Sequence, residues 1–157
     1  VKILLSFALL LAKLLTAQIP ASKGDVMHAN GTFDANLQPQ TLSVADATRH
    51  RLSIEKHFYG APEATSAGEM LSGGNPKSGS AGYVALETVT GTLDSKNGSF
   101  QLMHWGTMHG GSQDLRIEVV PDSGTGTLAG ITGTMKIEIA TGGKHTYFLE
   151  YLLPAPK

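Results

Sequence analysis

The chain has 157 residues, 12 lysines and arginines against 13 aspartates and glutamates, a formal charge of −1 and no cysteine. That length suits one domain with a sizeable core and is short for two. With no basic cluster beyond the start, nothing tracks a phosphate backbone, so nucleic acid is not an expected partner; without thiols there are no disulfides, no cysteine nucleophile and no thiolate zinc site.

Lys2, the apolar run 3–12, Lys13 and the small-residue ending Leu15-Thr16-Ala17 follow the order of a secretory signal peptide cut near Ala17. The run is short for a bilayer span; an uncleaved leader or short anchor is the other reading. Loss of residues 1–17 removes Lys2 and Lys13, leaving 10 basic and 13 acidic residues and a charge of −3. The expectation is a secreted or periplasmic protein with no stable membrane insertion after cleavage. Residues 18–26, with Pro20 and Gly24, read as a flexible lead-in, and the folded domain as residues 27–154.

Strand-like alternation then begins. Residues 28–37 place Phe33, Ala35 and Leu37 inward, and Pro39 is expected to end the strand. A polar connector, 41–48, leads to residues 51–59, with Leu52, Ile54 and Phe58 on one face and Lys56 sharing their parity. Gly60-Ala61-Pro62 turns into residues 63–72, whose alternation is too poor to assign an inward face, and the glycine-rich stretch 73–79 reads as a mobile loop. Residues 79–108 form a long hairpin about a turn at 94–98: Tyr83, Ala85, Val89 and Leu93 share one parity, and Phe100, Leu102 and Met108 share one on the return strand. Residues 113–120 turn Leu115, Ile117 and Val119 inward, residues 133–140 Met135, Ile137 and Ile139, and residues 145–153 Tyr147, Leu149 and Tyr151.

About eight strands, short glycine-rich turns and no convincing long helix predict an all-β fold. One-faced alternation favours a closed eight-stranded antiparallel barrel, with a β-sandwich as the alternative.

Two polar residues have the inward parity of the hairpin, Glu87 and His104. Pairing Leu93 with Phe100 sets Val89 opposite His104 and Glu87 opposite Gly106, so Glu87 and His104 become diagonal neighbours on the inner face. Such a pair suits proton transfer, with Glu87 orienting the ring and His104 acting as acid or base; it equally suits a buried polar network that fixes register. Tyr83, Tyr147 and Tyr151 are candidates to line a ligand pocket, and Lys56 to reach Glu69, Glu87 or the barrel mouth. Trp105 has outward parity, beneath the connector or on a partner surface. The remaining histidines have no metal-ligand spacing, and there is no serine elbow, no lysine-bearing phosphate loop and no dinucleotide fingerprint, so neither metal nor cofactor is implied.

Several separated segments, MHANGTFDANLQP, GEMLSG, GSAGYVALETVTGTLDSKNGSFQLMHWGTM, VVPDSGTGTLAGITGTMKI and YFLEYLLP, together resemble the bacterial family catalogued as domain of unknown function 3224, in order and over residues 27–154. The resemblance implies the allene oxide cyclase type of eight-stranded barrel, also used by plant dirigent proteins; the stretch GTGTLAGITG is similar to a turn before a late strand in those proteins. It carries no catalytic residue. Three readings stay open: a noncatalytic binder of a small apolar molecule in or near the lumen, a cofactor-independent isomerase or cyclase using Glu87 and His104, and a packed barrel acting through its surface or as a homo-oligomer.

Overall fold

The computed structural model describes residues 24–155. Eight strands follow one another: β1 (Met27–Gln40), β2 (Arg49–Gly60), β3 (Glu63–Asn75), β4 (Ser80–Leu93), β5 (Lys96–His109), β6 (Ser112–Val119), β7 (Thr132–Ile139) and β8 (His145–Leu152). Each pairs antiparallel with the next, and β8 returns to β1 from Met27↔Tyr151 to Phe33↔His145, closing one barrel. The expected closed barrel is therefore found and the sandwich is not. The signal-peptide expectation for residues 1–17 lies outside the described residues, and no described helix is long and apolar enough to cross a membrane.

The two ends differ. At the base, the chain after β6 does not turn directly into β7. Val120 donates its N–H to the Gln101 carbonyl at 2.9 Å and Thr125 to that of Ser99 at 2.8 Å, and a 3-10 turn at Gly126–Leu128 then folds under the barrel. Leu128 and Ile131 become 1% and 0% exposed there, in one core with Leu93, Phe100, Leu149 and Tyr151. Gly98 permits this approach: a Cβ on it would lie 2.1 Å from the Thr125 carbonyl oxygen.

At the mouth, bounded by the connector 41–48 and the turns 110–111 and 140–144, the inward alternation continues but water reaches it. Leu37, Leu115 and Ile139, expected in the core, are 47%, 40% and 66% exposed, and Ala35 is exposed too. Their strands outrun their neighbours: β8 covers β1 only as far as Phe33, and β6 meets β7 through the single pair Glu118↔Thr134.

Three expected boundaries shift. Pro39 does not end β1 but pairs with Leu52; β1 has only β2 beside it at that point, so an edge position tolerates the missing donor. The expected loop 73–79 is shorter than read: β3 runs on through residues 73–75, paired with β4 from Glu63↔Thr92 to Asn75↔Ser80, and only the 3-10 turn Pro76–Ser78 and Gly79 remain between the strands. The central hairpin turns on Asp94 and Ser95 alone, with φ of 46° and 64° and Leu93 opposite Lys96. Positive φ at both central residues gives the turn whose twist matches the strands.

The asymmetry of the ends has an energetic signature. Leu128→Ala should lower the unfolding free energy by about 3 kcal/mol, the usual cost of a buried leucine cavity, whereas Leu37→Ala should stay within about 0.5 kcal/mol; urea unfolding followed by circular dichroism measures both.

Candidate functional site

Glu87 points inward from the middle of β4 and is 1% exposed. Three strands supply its partners. Lys56 Nζ of β2 donates to Oε1 at 2.6 Å, His104 Nε2 of β5 lies 2.8 Å from the same oxygen, and Ser66 Oγ of β3 donates to Oε2 at 2.6 Å. Because the carboxylate only accepts when ionised, the Nε2 of His104 carries the hydrogen between them. The residue opposite Glu87 on β3 is Gly68. A Cβ there would fall 2.5 Å from Glu87 Cα, so glycine alone lets the two strands approach and leaves the space across which Glu87 meets Ser66 and Lys56.

Burial alone would push the Glu87 carboxyl up. The hydrogen bond from His104, the charges of Lys56 and His104 and the hydrogen bond from Lys56 together outweigh it and hold the group at about 2. Lys56 is further enclosed by aromatic faces, its Nζ 5.2 Å from the centre of the Phe33 ring and 5.9 Å from that of Phe58. Among the described residues no buried side-chain nitrogen or oxygen lacks a hydrogen-bond partner. The result is a fully satisfied, charged plate across the barrel interior. A carboxylate so held is a weak proton acceptor, since protonating it disrupts contacts made to the anion.

The structure brings together Glu87, His104 and Lys56, and adds Ser66. The diagonal relation of Glu87 and His104 survives a change of register: Glu87 faces Leu102 rather than Gly106 and His104 faces Ala85 rather than Val89. His104 lies two residues from either partner, on one side or the other. Lys56 takes Glu87, while Glu69 points outward to a hydrogen-bonded pair with Arg51. Ser66 was not legible because β3 presents Ala64, Ser66 and Gly68 inward before Met70, and the outward Leu71 next to Met70 blurs the alternation; its register against β4 is the signal that locates it.

The tyrosines separate. Tyr83 is half-buried toward the mouth, its phenol raised by burial and by the Glu87 charge. Tyr147 and Tyr151, expected at a rim, lie in the sealed half, 3% and 1% exposed. The Tyr147 hydroxyl faces the Tyr59 and Pro62 carbonyls, each at 3.4 Å, and burial raises it to about 12; that of Tyr151 donates to Asp94 beside the base turn, and burial with this bond raises it further. Both stand on β8, a strand of eight residues that begins opposite Phe33, midway along β1, so neither phenol reaches the mouth.

A closed eight-stranded barrel with a charged plate inside is the class that fold and site define. The chain belongs to the DUF3224 family: the model of that family, described as a protein of unknown function, matches residues 29–151, which include Lys56, Ser66, Glu87 and His104. A solved structure described as a protein with unknown function from the DUF3224 family of Shewanella oneidensis MR-1 is 41% identical, covering 85% of this chain and 100% of that one with a TM-score of 0.78. No curated protein matches the chain.

Since the folded carboxyl of Glu87 titrates at about 2 against an ordinary 4.5, the unfolded chain takes up its proton first as pH falls. The stabilisation is complete above the ordinary value and is lost as pH drops toward the folded one. Glu87→Gln should therefore flatten the decline in stability between roughly pH 5 and pH 2, measured by urea unfolding across that range. Lys56→Met should cost about 3–5 kcal/mol by stranding a buried charge, and adding Glu87→Leu should recover part of that loss in the same assay.

Proposed function

We propose that this protein holds a small, largely apolar molecule in the mouth of the barrel, above the Glu87 plate, without chemistry. The observation that carries the reading is the asymmetry of the interior: inward-pointing Leu37, Leu115 and Ile139 are left to water at one end, while Leu128 and Ile131 close the other. Apolar side chains on the inner face of a wall, open to solvent and backed by a few fixed polar groups, are the ordinary makings of a ligand site. The seam between β6 and β7 is one residue pair long, and Leu115 and Ile139 lie on its mouth side. Tyr83, its phenol protonated at neutral pH, offers a hydrogen-bond donor to a polar end of the ligand.

The proton-transfer reading is the weaker one, because Glu87 is held as an anion by three donors. Lys56, committed to Glu87, takes part as a component of the floor. The allene oxide cyclase type of barrel is the fold analogue we propose from the sequence resemblance, and a shared fold brings no reaction with it. Export rests likewise on the leader pattern of residues 1–17.

A series of straight-chain alcohols from octanol to dodecanol, titrated calorimetrically, tests the site. Affinity should rise about fourfold per added methylene, the equivalent of ~0.8 kcal/mol, until the mouth is filled, and the Leu115→Asp/Ile139→Asp double variant should bind at least about tenfold more weakly. Failure of every alcohol to saturate, or equal affinity in wild type and variant, would remove the proposal.

A further inference from the structure

The outer wall carries a second feature that the mouth does not explain. Outward-facing Leu71, Val84, Leu86, Met103 and Trp105 are each 40–51% exposed, and the strand register makes them neighbours. Leu71↔Val84↔Trp105 form one row across β3, β4 and β5, and Leu86↔Met103 lie in the next. Both rows end in charges on β6, Arg116 beside Trp105 and Glu118 beside Met103, and on the opposite flank stand Arg51 and Glu69. The Arg116 guanidinium lies 5.6 Å from the centre of the Trp105 ring. A groove of about 500 Å³ separates this face from Leu42 and Val44 of the connector.

We propose that this face is the interface of a two-fold dimer, with a second copy of the chain as its occupant. A contiguous apolar face of a few hundred Å² is at the upper limit of what monomers leave bare. A stable interface takes roughly 800 Å² per partner, so the charged rim and the connector join the apolar face in the contact. An isologous contact must also be complementary to itself, and the charges meet that condition in one orientation. A two-fold axis running across the strands between the rows exchanges them, setting Trp105 on the partner's Met103, Val84 on the partner's Leu86, and Arg116 against the partner's Glu118, with each contact repeated in reverse. An axis running along the strands over β4 instead sets Arg116 toward the partner's Arg51, like charge on like, and Glu118 toward the partner's Ser53, where it meets no opposite charge. The charges therefore select the first arrangement. The exposed Val44 overhangs the groove and extends the apolar rim.

Sedimentation velocity of the purified chain tests this directly. At concentrations on the order of 10–100 µM, where interfaces of this size hold, the wild type should sediment as a dimer. Met103→Glu should reduce it to a monomer with an unchanged circular dichroism spectrum. Arg116→Glu sets like charges together twice per dimer and should weaken association at least about tenfold; adding Glu118→Arg restores the opposition and should recover the wild-type dimer. A monomeric or trimeric wild type, a dimer indifferent to Met103→Glu and Arg116→Glu, or a double variant no tighter than Arg116→Glu alone would overturn the arrangement. None of these residues lines the mouth, so alcohol binding should persist in every variant.

Discussion

An ionised carboxylate inside a protein must be surrounded by donors, and that requirement fixes this barrel. Glu87 draws its partners from β2, β3 and β5 as well as standing on β4. A slip of one residue in any of those strands would turn a partner to the outside and leave a buried charge short of a hydrogen bond, at a cost of several kcal/mol. Hydrophobic alternation alone tolerates slips of two, because every second residue here is apolar or small. The Glu87 contacts do not: Lys56, Ser66 and His104 each occupy a single position. The plate is thus a register lock for half the wall, and it divides the interior into a packed base and an open mouth.

Much of this was legible in the sequence, and the reasons for the gaps are physical. The long strands of the central hairpin alternate cleanly, so the inward parity of Glu87 and His104 followed from period two. Their diagonal relation survived a misplaced turn because the error moved each partner by four residues and kept parity. The misplacement itself has a cause. Asn97-Gly98 is a stronger turn signal than Asp94-Ser95, yet Gly98 serves the close passage of the segment containing Thr125. β3 could not be assigned an inward face because Ala64, Ser66 and Gly68 are small and its one large inward residue, Met70, stands next to the outward Leu71; Gly68 is small because Glu87 approaches it. Residues such as Leu37 and Ile139 have the composition and parity of core; only the unequal lengths of neighbouring strands reveal that nothing covers them.

Membership of the DUF3224 family and the likeness to the Shewanella oneidensis structure anchor the architecture. The family match runs over residues 29–151, a span that includes the positions of Lys56, Ser66, Glu87 and His104. The plate and the fold belong to one level of description, and the mouth and the outer apolar face to another. The first follows from what a buried charge demands of its neighbours. The second follows from apolar side chains that the fold itself leaves uncovered.

The pairing of β1 with β8 has one more consequence. Met27 lies beside Tyr151, and Gly24 approaches the Leu153 carbonyl, so the chain enters and leaves the barrel at the sealed base. Any tether, whether a lipid-seeking segment, a neighbouring domain or a surface used to immobilise the protein, is joined there. The open end then faces away from its attachment, like a cup fixed by its foot.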